Sequence, residues 1–351
     1  MILVTGGAGF IGANFVLEWL AQTGEPLVNV DKLTYAGNRD SLAVLAQDPR
    51  HVFVEGDIAD RPLMAEQLRR HRPRAVLHFA AETHVDRSIL GPEAFIESNI
   101  LGTFGLLEAV RAYLDSLDAP AREAFRFLHV STDEVFGSLA PHESAFTEGH
   151  RYAPNSPYAA SKAASDHLVR AWHRTYGVPV LTTHCSNNYG PYQLQDKLIP
   201  LCIVNALAGK PLPLFGDGLQ VRDWLHVQDH CCALRRVLEA GRVGDTYAIG
   251  GRSERANIEV VRSVCAILDE LRPRPDARAY ADQIVHVADR RGHDRRYAID
   301  PAKLSGELGW TPDRVFEDGL RDTVRWYLDH PGWVRGAQPA TAPAPPTDLT
   351  P

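Results

Sequence analysis

Tyr158-Ala159-Ala160-Ser161-Lys162 places a phenol and an ammonium four residues apart, and therefore on one face of a helix, one turn apart. A lysine charge beside a phenol favours the phenolate and lowers a pKa of about 10 toward the range of a working general base. The same spacing also occurs in ordinary surface pairs, so it needs company. Ser131-Thr132-Asp133-Glu134 supplies it, directly after the apolar run Phe127 to Val130. A hydroxyl donor and two adjacent carboxyl groups would then stand where a strand ends, at the edge where open α/β sheets bind ligands. Adjacent carboxyls raise each other's proton affinity, so one can stay protonated as an acid while the other works as a base.

A second set of residues suits a dinucleotide. Thr5-Gly6-Gly7-Ala8-Gly9-Phe10-Ile11-Gly12 satisfies both GxGxxG and GxxGxxG, between a first apolar run and an apolar pattern of helical period. Glycines there allow a tight turn and close approach of the backbone, and the helix N-terminus offers free N–H groups to a pyrophosphate. Asp31 ends the second apolar run, 19 residues after Gly12. A carboxylate at that place accepts from ribose hydroxyls and repels a 2′-phosphate, which favours NAD over NADP, with Lys32 partly offsetting the repulsion. Gly56-Asp57-Ile58 and Phe79-Ala80-Ala81 put small or acidic residues where adenine and ribose would cross the ends of the third and fourth strands.

The elements that must carry these groups alternate. Short apolar runs at Met1 to Val4, Leu27 to Val30, Val52 to Val54, Ala75 to Phe79 and Phe127 to Val130 are separated by stretches of helical period, and another strand is expected at Val180 to His184. The helical stretches include Leu63 to His71, Phe95 to Tyr113 and Ser156 to Tyr176. Such alternation predicts an α/β fold, a Rossmann-type doubly wound parallel sheet covered by helices on both faces. Beyond Gly190 the connections turn rich in Pro and Gly, which predicts a smaller, less regular C-terminal lobe that binds substrate. The expected division is 1–186, mainly the NAD-binding domain with the catalytic residues, and 187–335, mainly the substrate-binding lobe with crossings back. A Pro- and Ala-rich tail at 336–351 is expected to be disordered.

The 351 residues, 44% hydrophobic and 23% charged, are those of a globular protein large enough to bury a core unaided. A formal net charge of −7 argues against a nucleic-acid binder, and no apolar run reaches the ~18 residues of a membrane span. Five cysteines, an odd count without CxxC spacing and with no secretory leader, predict reduced, buried thiols and a cytoplasmic protein. His78, His84, His129 and His293 lack ligand spacing, so no metal is expected.

Taken in order, these motifs resemble the extended short-chain dehydrogenase/reductase superfamily, most closely its dTDP-glucose 4,6-dehydratase branch. The resemblance covers roughly residues 1 to 330 and also rests on the stretches Ala80 to Ser88, Asn187 to Gln193, Lys197 to Pro200, Gly216 to Gly218 with Arg222 to Trp224, and Gly292 to Tyr297. It implies that Tyr158 takes the sugar O4 proton while the C4 hydride passes to NAD, with Lys162 supporting that phenol and holding the nicotinamide ribose. Thr132 would hydrogen-bond O4, Glu134 would remove the C5 proton, and Asp133 would protonate the departing C6 hydroxyl before the hydride returns to C6. It implies NAD contacts from Gly6, Gly9, Phe10, Ile11, Gly12, Asp31, Lys32, Leu33, Thr34, Asp57, Ile58, Phe79, Ala80, Ala81, Thr83, Ser98 and Asn188, besides Tyr158 and Lys162. The nucleotide sugar would meet Thr83, Thr132, Asn187, Lys197, Leu198, Arg222 and Asn257, with Pro213, Leu214 and Phe215 near the base and Asp289, Arg290, Arg291, Gly292 and His293 near the diphosphate. Phe136 departs from the usual tyrosine of that branch and Arg291 from a usual proline. Two other readings share parts of the pattern: a 4-epimerase, which has no need of Asp133 and Glu134, and a dehydratase of GDP- or UDP-sugars. A third, an NAD-binding sensor or scaffold without turnover, is opposed by the intact Thr, Asp, Glu, Tyr, Lys set. The branch also pairs two long helices across a two-fold axis, so a homodimer is expected through Phe95 to Tyr113 and Ser156 to Tyr176.

Overall fold

A computed structural model describes residues 1–290 and 292–336. Arg291 and the tail beyond Gly336 lie outside the described residues. The strands are β1 Ile2–Thr5, β2 Leu27–Asp31, β3 His51–Glu55, β4 Ala75–His78, β5 Arg126–Thr132, β6 Val180–Cys185, β7 Asn187–Tyr189, β8 Leu212–Phe215, β9 Val221–His226, β10 Thr246–Ile249, β11 Glu254–Ala256 and β12 Ile284–Val287. Seven of them form one sheet in the order β10-β6-β5-β4-β1-β2-β3, and every pairing in it is parallel. Strands β1, β2, β4 and β6 are buried along their whole length. Helices cover both faces of such a sheet, which is why these strands are rich in apolar residues, with Asn29 of β2 and Thr182, Thr183 and His184 of β6 buried among them. The strand order reverses between β1 and β4, and this is the point where the carboxyl ends diverge and open a crevice.

Seven helices carry the argument: α1 Phe10–Gln22, α2 Arg61–His71, α3 Thr103–Asp115, α4 Pro157–Tyr176, α5 Val227–Ala240, α6 Asn257–Leu271 and α7 Phe316–Asp329. On one face of the sheet Phe15, Val16 and Trp19 of α1 pack with Leu234 and Val237 of α5. On the other, Leu68 of α2, Leu106 and Val110 of α3 and Val169 of α4 form a second core. Helix α4 has clear ends: Ser156 Oγ accepts from Ala159 N at 3.1 Å, Pro157 fills the first turn, and Gly177 closes it at φ 70°. The expected helix from Phe95 to Tyr113 differs in one respect. Helical structure runs from Glu93 to Asp115, but Ile96–Gly102 is wound as a π-helix.

The smaller lobe gathers β7, β9 and β11 into one sheet and β8 with β12 into a parallel pair. Tyr189, Ile203, Trp224, Val264 and Leu320 form its core. The chain does not divide cleanly at 186: β10 returns to pair with β6, and α5 packs in the core of the large sheet. Among the cysteines, Cys185, Cys202, Cys231 and Cys265 are buried and unpaired, while Cys232 is only partly covered.

Candidate active site

The glycine turn sits between β1 and α1 as its spacing predicts. Gly6 holds φ 74°, and a Cβ there would lie 2.5 Å from Ala80 N. At Gly12 a Cβ would lie 2.2 Å from Gly6 O, so only glycine lets the turn close under α1. No side chain caps the α1 N-terminus, which leaves its N–H groups facing the cleft. At the end of β2 the Asp31 carboxylate is almost covered and accepts from Ala8 N and Leu33 N, both at 2.8 Å. Burial pushes its carboxyl up, and these two N–H groups pull the other way. Free helix N–H groups, a glycine-lined turn and an anchored acid together fit the pyrophosphate and ribose of a dinucleotide.

One cleft runs over the carboxyl ends of these strands. Gly6, Gly9, Phe10, Ile11, Gly12, Asp31, Lys32, Thr34, Asp57, Ile58, Phe79, Ala80, Ala81, Thr83, Ser98, Tyr158, Lys162 and Asn188 all line it. Leu33 is the exception among the expected cofactor residues; it stands at φ 54° and uses its N–H to hold Asp31. Lys32 Nζ lies 2.7 Å from Asp57 Oδ2, so its charge is engaged by a carboxylate other than Asp31.

The catalytic candidates converge in the same cleft. Thr132, Glu134, Tyr158 and Lys162 line it, and Asp133 lies buried behind. Thr132 caps a 3₁₀ turn over Asp133–Phe136, accepting from Glu134 N at 3.2 Å, and this turn aims the two adjacent carboxyls differently. Burial pushes Asp133 well above the usual carboxyl range, with Glu134 and Asp223 adding to it. Its Oδ2 is buried and has no partner. Burial also raises Glu134, but Arg290, Arg222 and Lys197 counter it. Asp133 is thus the carboxyl that keeps its proton and Glu134 the one that gives it up more readily.

Tyr158 lines the cleft from the first turn of α4. Burial pushes its phenol well up, Glu134 and Cys185 add to this, and Thr132 draws it down. Lys162, one turn further along α4, donates from Nζ to Val130 O of β5 at 2.9 Å.

The lobe brings the remaining candidates to the outer side. Asn187 and Lys197 line the cleft; Lys197 Nζ donates to Thr83 O at 3.2 Å and Asn187 Oδ1 is buried without a partner. Arg222 is almost fully buried, stacked 4.2 Å over the Tyr297 ring, and donates to the carbonyls of Val221 and Asp294. The ordinary alternative, pairing with Asp217 or Asp223, does not occur: Asp217 bonds Arg295 and Asp223 accepts from Gly251 N and Ser253 N. A buried guanidinium satisfied only by carbonyls keeps its charge available for a diphosphate. Phe215, Asp289, Arg290 and His293 cluster nearby, with His293 Nδ1 and Asp289 Oδ1 at 2.6 Å and the His293 ring edge-on to Phe215. Gly292 turns this stretch at φ 65°, and Pro213 sits beside Phe215 on the half-exposed β8. Leu214 and Leu198, expected at the ligand, pack against the lobe core, and Asn257 starts α6 with its N–H on Gln220 O.

Several lining residues escaped the sequence. Tyr35, Gly37, Cys185, Gln193 and Asp196 border the cleft, and Arg87 stacks 3.7 Å over the Tyr35 ring. Gln193 closes the Asn187 to Gln193 stretch that carries the resemblance, and the others lie in loops or at a strand end where no period marks them. Phe136, which replaces a tyrosine, packs 4.8 Å from the His184 ring and next to Phe146.

The family model described as GDP-mannose 4,6 dehydratase matches residues 3–323. The chain is 62% identical over 334 residues to a dTDP-glucose 4,6-dehydratase of Xanthomonas campestris pv. campestris, covering 95% of each chain. It is 56% identical over 342 residues to dTDP-glucose 4,6-dehydratase 1 of Escherichia coli K12, covering 95% of this chain and 94% of that one. Among solved structures, a dTDP-glucose 4,6-dehydratase from Streptomyces venezuelae with NAD and TYD bound superposes with TM-score 0.87 at 46% identity, covering 96% of this chain and 99% of that chain. A UDP-glucose 4-epimerase from Thermus thermophilus in complex with NAD gives TM-score 0.80 at 28% identity, covering 93% of this chain and 98% of that one. With a glycine-lined turn, a Tyr-Lys helix and two unlike carboxyls in one cleft, and at this level of identity over nearly the whole length, the chain belongs to the dTDP-glucose 4,6-dehydratase family of extended short-chain dehydrogenases/reductases.

Proposed function

We propose that this chain dehydrates dTDP-glucose to dTDP-4-keto-6-deoxyglucose, with NAD held in the β1–α1 turn and by Asp31. The observation that carries the reading is the inequality of Asp133 and Glu134, since oxidation or epimerisation at C4 alone requires no such acid–base pair. NAD, when bound, supplies the hydride acceptor for C4 and the donor for C6. Tyr158 accepts the O4 proton as its phenolate, a form that the Lys162 ammonium one turn away favours against burial, and Thr132 Oγ1 orients O4. The C4 ketone acidifies C5, whose proton Glu134 removes, and the Asp133 carboxyl protonates the departing C6 hydroxyl. Lys162 keeps a positive charge near the phenol from its place on Val130 O. Arg222, Lys197, Asn187 and the Asp289–His293 stretch hold the nucleoside diphosphate, with Pro213 and Phe215 at the base. Asp31 favours NAD over NADP, because Lys32 is engaged by Asp57 and cannot shield a 2′-phosphate from it.

The assembly we propose is a homodimer, with the exposed Ile96 and Leu101 on the π-wound helical stretch and Tyr176 on α4 as apolar surface for the second copy. Reduced thiols and this use of NAD agree with a cytoplasmic setting. The test is turnover of dTDP-glucose beside UDP-glucose and GDP-mannose in deuterated water. The expected result is a 4-keto-6-deoxy product from dTDP-glucose, with solvent deuterium at C5 and the C4 hydrogen carried undiluted to C6. A preference for either other sugar nucleotide, or solvent deuterium at C6, would overturn it.

A further inference from the structure

Tyr158, Lys162 and Asp166 stand on successive turns of α4, and the reaction as derived uses only the first two. Asp166 is 4% exposed and its carboxylate accepts four hydrogen bonds. His129 Nε2 meets Oδ1 at 3.0 Å; Ser131 Oγ at 2.9 Å, Tyr152 OH at 3.0 Å and His184 Nε2 at 3.0 Å all meet Oδ2. The donors come from β5, from β6 and from the loop ahead of α4, so one side chain ties three segments together. No lysine or arginine forms an ion pair with it among the described residues; the imidazoles of His129 and His184 meet it instead, each at 3.0 Å.

The placement of Lys162 gives this cluster a meaning beyond packing. Its Nζ donates to Val130 O, and Val130 lies between His129 and Ser131, both of which bond Asp166. The carboxylate therefore holds both residues that flank the peptide Lys162 touches. We propose that Asp166 is a positioning residue: a buried counter-charge that keeps Lys162 protonated and fixes β5, with the Thr132-Asp133-Glu134 turn it leads into, against the Tyr158 face of α4. Other titratable groups face the pair from β4, β5 and β6. Burial holds His78 of β4 and His129 of β5 below their ordinary values, His129 at about 4, and keeps the Cys185 thiol of β6 protonated. His184 and Tyr152 act as donors, and Asp133 and Glu134 lie past the end of β5. Burial lowers Lys162, and Asp166 is the first group that opposes this.

The proposal rests on the Tyr158–Lys162 reading of the reaction. It is tested by the pH profile of kcat and KM for the purified holoenzyme and for Asp166→Asn, which keeps shape but removes the charge. Loss of a neighbouring opposite charge should let Lys162 discharge at lower pH, so the alkaline limb of kcat should move down by about 1 to 3 units. KM for the nucleotide sugar should stay within about 2-fold, because Asp166 lies away from the diphosphate groups. An alkaline limb that stays in place in folded Asp166→Asn, however slow the enzyme, assigns the cluster to stability alone and overturns the proposal. Should Asp166→Asn fail to fold, Asp166→Glu carries the test: it keeps the charge and moves it, so kcat should fall with the limb unmoved, and a displaced limb overturns the proposal. Failure of the underlying reading would show elsewhere, as turnover surviving in Tyr158→Phe.

Discussion

Asp133 and Glu134 are adjacent in sequence and chemically unlike, and the difference comes from what surrounds each. Asp133 is buried with an unpartnered Oδ2 and has Asp223 acting on it, so its proton is held. Glu134 opens to the cleft and feels three cations. This inequality supports the proposed division of labour, with one carboxyl giving a proton to the leaving group and the other taking one from carbon. Glu134→Gln keeps the shape but cannot accept a proton. The variant should lose about 10² to 10⁴ in dehydration rate while Tyr158 and Lys162 still support oxidation at C4. Stopped-flow absorbance of the reduced nicotinamide beside product assay checks this; wild-type dehydration would remove Glu134 from the role of base.

At the scale of elements, the π-wound turns at Ile96–Gly102 are where the long helix meets the site. The wider winding accompanies a set of contacts from Asn99, whose Nδ2 donates to Glu82 O at 3.0 Å and to Ser161 Oγ at 2.8 Å, and whose Oδ1 accepts from Glu82 N at 2.8 Å. Ser98 next to it lines the cleft. Such π segments are frequent at functional sites, where they present a side chain that regular winding would turn away. Asn99→Ala leaves both backbone groups of Glu82 without these partners in a buried setting. A loss of about 1 to 3 kcal/mol of stability is expected, read from the denaturant midpoint, together with weaker NAD binding because Glu82 also borders the cleft. An unchanged midpoint would show that the π turns hold themselves.

For the whole molecule, two properties follow from what is buried and what is not. Burial holds His129 at about 4 and His226 and His230 at about 3, against an ordinary 6.5. Their folded values lie below the unfolded one, so the unfolded chain binds more protons as pH falls. Their contribution to stability is complete above 6.5 and is lost progressively as pH drops toward the folded values. Thermal scans should show Tm falling from about pH 6.5 downward. His230→Gln, which keeps a donor for Asn188 Oδ1, should flatten that slope. The second property is the exposed apolar surface. Leu101, 54% exposed, stands on the helical stretch that we assign to the dimer. Wild type should sediment at twice 38.8 kDa and Leu101→Glu should shift toward the single-chain mass. A wild-type species at the single-chain mass would refute the dimer.

The sequence alone determined the doubly wound sheet, the glycine turn with its acid at the end of β2, and the Tyr-Lys and Asp-Glu pairs. These depend on alternation and on spacings of a few residues, and local periodicity and helix geometry transmit them directly. Spacing could not decide which carboxyl keeps its proton, a choice that only the family resemblance made, because it depends on Asp223 and Arg222 of β9, some ninety residues downstream. Nor could it show that Asn99 reaches Ser161, 62 residues away, or that Arg222 meets the Asp294 carbonyl 72 residues on. The Asp166 cluster was equally hidden, since its four donors come from three separate segments and only Ser131 stands in a motif, which gave it no such role. Burial and long-range contact set proton affinity, and both exist only once the chain has closed on itself.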